Sequence, residues 1–328
     1  MPSTSEIKQR IDSVKSTQKI TNAMYLISST KLQKAKQKLD NAKPYMRALE
    51  IEIRRILDNA EEDDIYFHPD NYFTDLPKVP VILVITADKG LAGSYNNNVI
   101  KATEAELKRK PNARLYVVGE YGRRYFTQRK VPFVDSFVYT SQDPTFHRSR
   151  RMSAEILQQY GEGRVNDIQV IYSRLQGIGD AEVERVRLLP LARPSSDEIR
   201  KSAEKKEKEK EYNYFEFLDY LNDQDGHGSY RNNNKLPFYP SVHAVLDSVM
   251  QSYLSSYIFG ALLESYCSEQ NARMNAMNSA NENAEELKTE LTVKFNRVRQ
   301  AAITQEITEV SAGSKAQRKK REKEGQRT

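Results

Sequence analysis

A chain of 328 residues that is 38% hydrophobic and 29% charged, with no tryptophan, carries little apolar material for a compact enzyme of its length. Its mean hydropathy of −0.74 and the lack of any apolar run near the roughly 18 residues of a membrane span argue against a membrane-embedded chain. The single cysteine, Cys267, excludes an internal disulfide and fits a reducing compartment, and the four scattered histidines have no metal-ligand spacing.

The net charge of +6 is unevenly placed. Residues 1–58 hold 12 Lys/Arg against 6 Asp/Glu, and residues 315–328 hold 7 against 2, so the middle of the chain is net acidic. Between Ser13 and Leu39 six lysines, Lys31 and Lys34 among them, occur with no acid. One helix face there is expected to be strongly electropositive. The opening residues lack the charged-then-apolar pattern of a signal peptide.

Residues 3–58 are expected to form one long helix with Ser5 as its N-cap. Ile7, Ile11, Val14, Leu32, Ala35 and Leu39 fall on a 3–4 spacing. Pro44 should bend this helix rather than end it, because the pattern resumes from Tyr45. A linker is expected over 59–75. Residues 76–194 change period and predict a small, largely parallel α/β sheet. Val79–Thr86 is a continuous apolar run suited to a strand buried on both faces, followed by a helix to Arg109. Strands are expected at Ala113–Val118, Asp167–Ser173 and Glu182–Leu189, with helices at Glu120–Arg129 and Arg150–Tyr160.

The turn from Asp88 to Gly93 has neither G-x-x-x-x-G-K-[ST] nor G-x-G-x-x-G, so a sharp strand-to-helix turn is expected there rather than a nucleotide cradle. Residues 195–236 read as a charged and polar insertion. A second long helix is expected over 237–314, with a near-heptad register running from Leu246 through Tyr253, Gly260, Cys267, Met277, Leu291 and Val298 to Ala302. Such a rod needs a partner along its length, and the first helix is the candidate. Topology makes the pair antiparallel, with a protruding C-terminal end. Gln18, Thr21, Gln270, Asn278 and Asn281 give the seam a polar character, which suits either register specification or a weakly adhesive axle. The tail 315–328 is basic and expected to be disordered.

No paired carboxylates, Ser-His-Asp ordering or Cys-His arrangement stands out, so a structural or mechanical part is expected rather than an enzyme.

Three motifs carry a family resemblance. Residues 11–24 (IDSVKSTQKITNAM) resemble the N-terminal motif of F-type ATP synthase gamma subunits, and residues 84–91 (VITADKGL) are similar to their first strand and turn. Residues 261–265 (ALLES), 269–277 (EQNARMNAM) and 296–306 (NRVRQAAITQE) resemble the C-terminal signature. The resemblance implies an α/β chain whose terminal helices pair as a long antiparallel coiled-coil axle, with a small Rossmann-like α/β domain between them. It implies a rotor shaft without cofactors that works with the α and β subunits, epsilon and the c subunits of the membrane rotor ring. Its implied place is peripheral, on the cytoplasmic face of the bacterial inner membrane, and no nucleic-acid partner is expected.

By motif match, Arg299, Gln300, Thr304 and Glu306 resemble residues that meet polar loops of the β subunits, while Met24 and Arg273 match positions near a lower bearing. Lys31 and Lys34 are expected to face acidic elements of the same subunits, on electrostatic grounds. The sequence departs from the family at Ala92, where cysteine is usual, and its insertion lacks the cysteines of a thiol switch. The alternative is a gamma-like coiled-coil adaptor whose basic tail binds polyanions.

Overall fold

The computed structural model describes residues 3–57, 65–67, 69, 79–175, 181–191 and 238–325. The expected insertion 195–236 and most of the 59–75 linker lie outside the described residues. The elements run α1 (Thr4–Leu57), β1 (Pro80–Ile85), α2 (Tyr95–Arg109), β2 (Arg114–Val118), α3 (Glu120–Gln128), α4 (Phe146–Gly161), β3 (Asp167–Leu175), β4 (Ala181–Leu189) and α5 (Val242–Gly325). They fall into two compact units: residues up to Ser29 together with those from Arg273 onward, and Thr30–Ala272.

In the first unit, the N-cap of α1 is Ser3, not the expected Ser5. The Glu6 amide donates to Ser3 Oγ at 3.2 Å, and the Ser3 amide donates back to Glu6 Oε2 at 3.1 Å. This reciprocal capping box satisfies backbone donors that the first helical turn leaves unpaired. The pairing of α1 with α5 is antiparallel, since Gln18 meets Glu285 while the earlier Ile7, Ile11 and Val14 pack with the later Leu291, Phe295 and Val298.

In the second unit, β1, β2 and β3 are parallel and β4 is antiparallel to β3, in the order β2-β1-β3-β4. Successive residues of a strand point to opposite faces, and the unit uses both. Val81, Leu83 and Ile85 face a large core with Met152, Ile156 and Tyr160 of α4 and Leu246, Met250, Leu254 and Ile258 of α5. Ile82 and Val84 face a second cluster with Val99 of α2 and Phe126 of α3. All six α5 and β1 residues from Val81 to Ile85 and Leu254 are essentially sequestered from solvent. The edge strand β4 carries Glu182, Glu184, Arg185 and Arg187, which discourages pairing with another chain's strand.

The carboxyl ends of β1 and β2 are tied closely. Thr86 Oγ1 donates to the Val118 carbonyl at 2.9 Å and accepts from the Gly122 amide at 3.1 Å. Asp88 Oδ1 accepts from the Glu120 amide at 3.0 Å, and Thr140 donates to the other oxygen. Gly119 makes this approach possible. It sits at φ +93°, and a Cβ there would lie 2.2 Å from the Thr86 carbonyl oxygen.

Pro44 lies inside an uninterrupted α1, as expected. Two expectations about α5 are corrected. The helix continues past 314 to Gly325, so residues 315–325 are helical rather than a disordered tail. The run Lys315–Glu324 consists of strong helix formers, and propensity carries it forward where charge density alone suggested disorder. Ala302, assigned to the seam, is exposed: among the described residues the apolar contacts of α1 with α5 run only as far as Val298.

Candidate coupling surfaces

The first unit holds one end of the helix pair. An apolar clasp of Ile7, Ile11 and Leu291 closes it, and the adjoining stretch is held by polar contacts. Gln18 Nε2 donates to Glu285 Oε2 at 3.0 Å, and Thr21 donates to Asn281. Hydrogen bonds from Lys288 and then from Gln18 hold the Glu285 carboxyl below its ordinary range. Asn278, expected in the seam, is instead exposed and donates to Glu282 one turn along its own helix at 2.8 Å.

Beyond Val298 every residue from Arg299 to Ala316 is exposed. Arg299, Gln300, Thr304 and Glu306 therefore all stand on one uncovered helical segment. Ile303, Ile307 and Val310 are 47%, 65% and 73% exposed, and their 4- and 3-residue spacing puts them on one face with Arg299. These three side chains form a narrow apolar stripe exposed to solvent among the described residues. The sequence reading missed it because Ile303 and Ile307 follow the seam without a break in character. Thr304 is partly engaged, its hydroxyl donating to the Gln300 carbonyl at 2.9 Å. Met24 is half-buried and Arg273 is 9% exposed, so neither offers the open surface that Arg299 does.

In the second unit Lys31 and Lys34 are exposed on α1, while Leu32 and Ala35 between and beside them are buried. Lys38 belongs to the same acid-free run between Ser13 and Leu39, yet it pairs at 2.5 Å with Asp143 of the loop before α4. That contact holds the Asp143 carboxyl below its usual range. Both partners are well exposed, so the pair contributes little stability.

The same unit shows what its sheet does not do. In open α/β sheets ligands enter the crevice at the carboxyl ends of the strands where strand order reverses, here between β1 and β3. Helix α5 fills that place. Tyr95 Oη and Ser265 Oγ are 2.6 Å apart, Ser173 and Ser268 hydroxyls are 2.7 Å apart, and Ala272 packs on Ala87, Ala92 and Tyr95. A third hydroxyl pair, Ser153 with Ser255 at 2.7 Å, joins α4 to α5. The crevice is thus a socket for the protein's own helix. Sequence reading missed these serines because they look like ordinary helix residues until their partners are placed.

Two further groups on α5, the half-buried Glu264 and the buried Cys267, adjoin the socket. Glu264 lies near Arg174, whose Nε is 3.8 Å from its Oε2; burial raises its carboxyl, and Arg174 opposes that shift. Burial pushes the Cys267 thiol up to about 11. At pH 8 only ~0.1% of such a thiol is thiolate. Native Cys267 is therefore expected to react with a thiol-specific disulfide reagent at least about a hundredfold more slowly than the same chain in denaturant. Equal rates, followed by absorbance of the released thiolate, would contradict the packing of α5.

Among the described residues no group of three or more His, Cys, Asp or Glu side chains could hold a metal, and no helix is long and apolar enough to cross a membrane. One unit is thus an antiparallel pair of long helices, and the other is an α/β unit whose ligand crevice is filled by its own stretch of α5, the architecture of a stalk rather than of a ligand-binding domain. A family model described as ATP synthase matches residues 3–316. The ATP synthase gamma chain of Caldanaerobacter subterraneus subsp. tengcongensis is 36% identical over 310 residues, covering 94% of this chain and 98% of its own. The sodium ion specific ATP synthase gamma chain of Acetobacterium woodii is 33% identical over 313 residues, covering 95% and 97%.

The fold is shared with a rotor chain of Euglena gracilis mitochondrial ATP synthase in rotational state 1. The TM-score is 0.56 at 16% identity, covering 90% of this chain and 97% of that one. A chain of the OSCP/F1/c-ring structure from the same organism, in rotational state 3, gives a TM-score of 0.57 at 17% identity, covering 94% and 93%. The chain belongs to the ATP synthase gamma chain family. It is a non-catalytic subunit, the central rotor shaft that couples ion-driven rotation to conformational cycling at catalytic sites carried elsewhere in a membrane-attached complex.

Proposed function

We propose that the exposed end of α5 is where this shaft engages the ring of α and β subunits. The observation that carries the reading is the uncovered segment from Arg299 onward, with Arg299 beside an apolar stripe that its own chain leaves in water. Arg299 suits a carboxylate on a β subunit, since its planar guanidinium can donate two parallel bonds. Gln300, Thr304 and Glu306 supply neutral and acidic groups on the same segment. Lys31 and Lys34 offer a second, cationic contact to acidic elements of the β subunits. Met24 and Arg273, being half-buried and buried, act by holding the helix pair in register near a lower bearing.

The physical logic is population shift. Each catalytic β subunit has several conformers, and an asymmetric shaft touches them unequally, so its angle biases their equilibrium. A polar stretch such as Gln18–Glu285 suits a shaft that must not adhere in one orientation. The α/β unit, with epsilon, rests on the ring of c subunits, which places the chain at the cytoplasmic face of the bacterial inner membrane.

The test is assembly. Purified α and β subunits mixed with the full chain are expected to elute as one complex by size exclusion, and a chain ending at Val298 is expected to lose most of that association. Undiminished binding by the shortened chain would remove the exposed end of α5 from the interface.

A further inference from the structure

We infer that the first two turns of α4 form a docking surface for an acidic polypeptide segment that also carries an apolar side chain. The helix opens Phe146-His147-Arg148-Ser149-Arg150-Arg151, with four basic residues and no acid in its first turn. A helix N-terminus already bears partial positive charge, so cations there work against the fold. Arg148 has an internal use: its Nη1 donates to the Gln142 carbonyl at 2.8 Å and to those of Thr140 and Asp143. His147, Arg150 and Arg151 are exposed, and none of the ion pairs seen among the described residues involves them. Two carboxylates lie close. Asp143 is taken by Lys38, and Glu155, one turn beyond Arg151, neutralises at most one of the two arginines Arg150 and Arg151.

Two hollows flank this cationic ridge and share His147 and Arg151. One, of about 390 Å³, is polar and adds the hydroxyl-bearing Ser136, Tyr139 and Thr145. The other, of about 560 Å³, has Phe146 and Ala154 as its apolar wall beside Arg150. Phe146 is held edge-on between Tyr45 of α1 and Phe259 of α5, at centroid distances of 6.1 and 5.8 Å, so that wall is fixed. A bare oxyanion would satisfy only the polar hollow. A peptide with carboxylates and one apolar side chain satisfies both, which decides for a polypeptide. The surface is independent of the rotor assignment, since it uses only contacts within one unit of this chain.

The experiment is fluorescence anisotropy of a labelled glutamate-rich peptide carrying one leucine, titrated with the full chain. Charge reversal by Arg150→Glu with Arg151→Glu is expected to weaken binding about tenfold or more. A control with the same change in net charge at exposed sites elsewhere, Lys101→Glu with Lys130→Glu, is expected to change it less than about twofold. Because acids favour a helix N-terminus, the reversed variant should melt no lower than the parent. If it does melt lower, Arg151→Gln, which removes only the charge shared by both hollows, decides the matter with an expected loss of about fivefold. Equal weakening by the control pair would overturn the proposal in favour of net charge alone. So would a leucine-free peptide or millimolar inorganic phosphate competing as well as the leucine peptide, since the surface would then read oxyanions only.

Discussion

Replacing Gly119 with alanine is expected to destabilise the α/β unit by about 4 kcal/mol, seen as a melting temperature lower by roughly 10 °C. Two costs add. The backbone at φ +93° lies outside the region that side-chain-bearing residues adopt readily, and the new Cβ would sit 2.2 Å from a backbone oxygen of Thr86. That oxygen belongs to the end of β1, which is fixed by the β2 ladder, so it cannot retreat as a flexible side chain would. Gly161→Ala provides the contrast. Nothing lies within 4 Å of its Cβ position, and a neutral or slightly raised melting temperature is expected. Thermal unfolding followed by circular dichroism measures both. If Gly119→Ala and Gly161→Ala melt alike, the close approach of β1 and α3 is wrong.

The second large effect concerns function. Exchanging Arg299 and Gln300 together for alanine should leave the fold intact, because both side chains are exposed and make none of the contacts that hold α1 against α5. Within an assembled complex the same change should lower ATP-driven ion pumping at least about tenfold, as expected when one partner of a desolvated charge pair is removed at a cost of about 2 kcal/mol or more. Hydrolysis at the catalytic sites should fall less than pumping, because the residues lost are those of the shaft. Pumping by vesicles, read with a pH- or potential-sensitive dye against the hydrolysis rate, separates the two. An unchanged ratio would remove Arg299 and Gln300 from the coupling surface.

Much of this was legible in the sequence, and for identifiable reasons. The seam positions Ile7, Ile11, Leu291 and Met277 are buried as their spacing implied, because helix periodicity needs no knowledge of the partner. The apolar run of β1 is buried along its length, because only a central parallel strand hides both faces. The N-cap was expected at Ser5, two residues after Ser3, where the box Ser3-Thr-Ser-Glu6 forms.

Other features depend on distance in the chain. The Lys38–Asp143 pair joins residues 105 apart, and the Tyr95–Ser265 tie joins residues 170 apart. Neither residue type announces its partner. The α5 stripe of Ile303, Ile307 and Val310 continues the chemistry of the seam, so its exposure shows only once the extent of the α1–α5 contacts is known. For the same reason the motif match could name Arg299 and Gln300 but could not show that they stand uncovered.

The central claim is that this chain transmits rotation as the shaft of a rotary ATP synthase. Its most direct measurement is ATP hydrolysis and ion pumping by α and β subunits and the membrane sector, reconstituted in vesicles with and without the full chain. The account predicts that pumping appears only when the chain is present and that ATP turnover and pumping then rise together. Coupled pumping without the chain, or hydrolysis that never becomes coupled with it, would contradict the account.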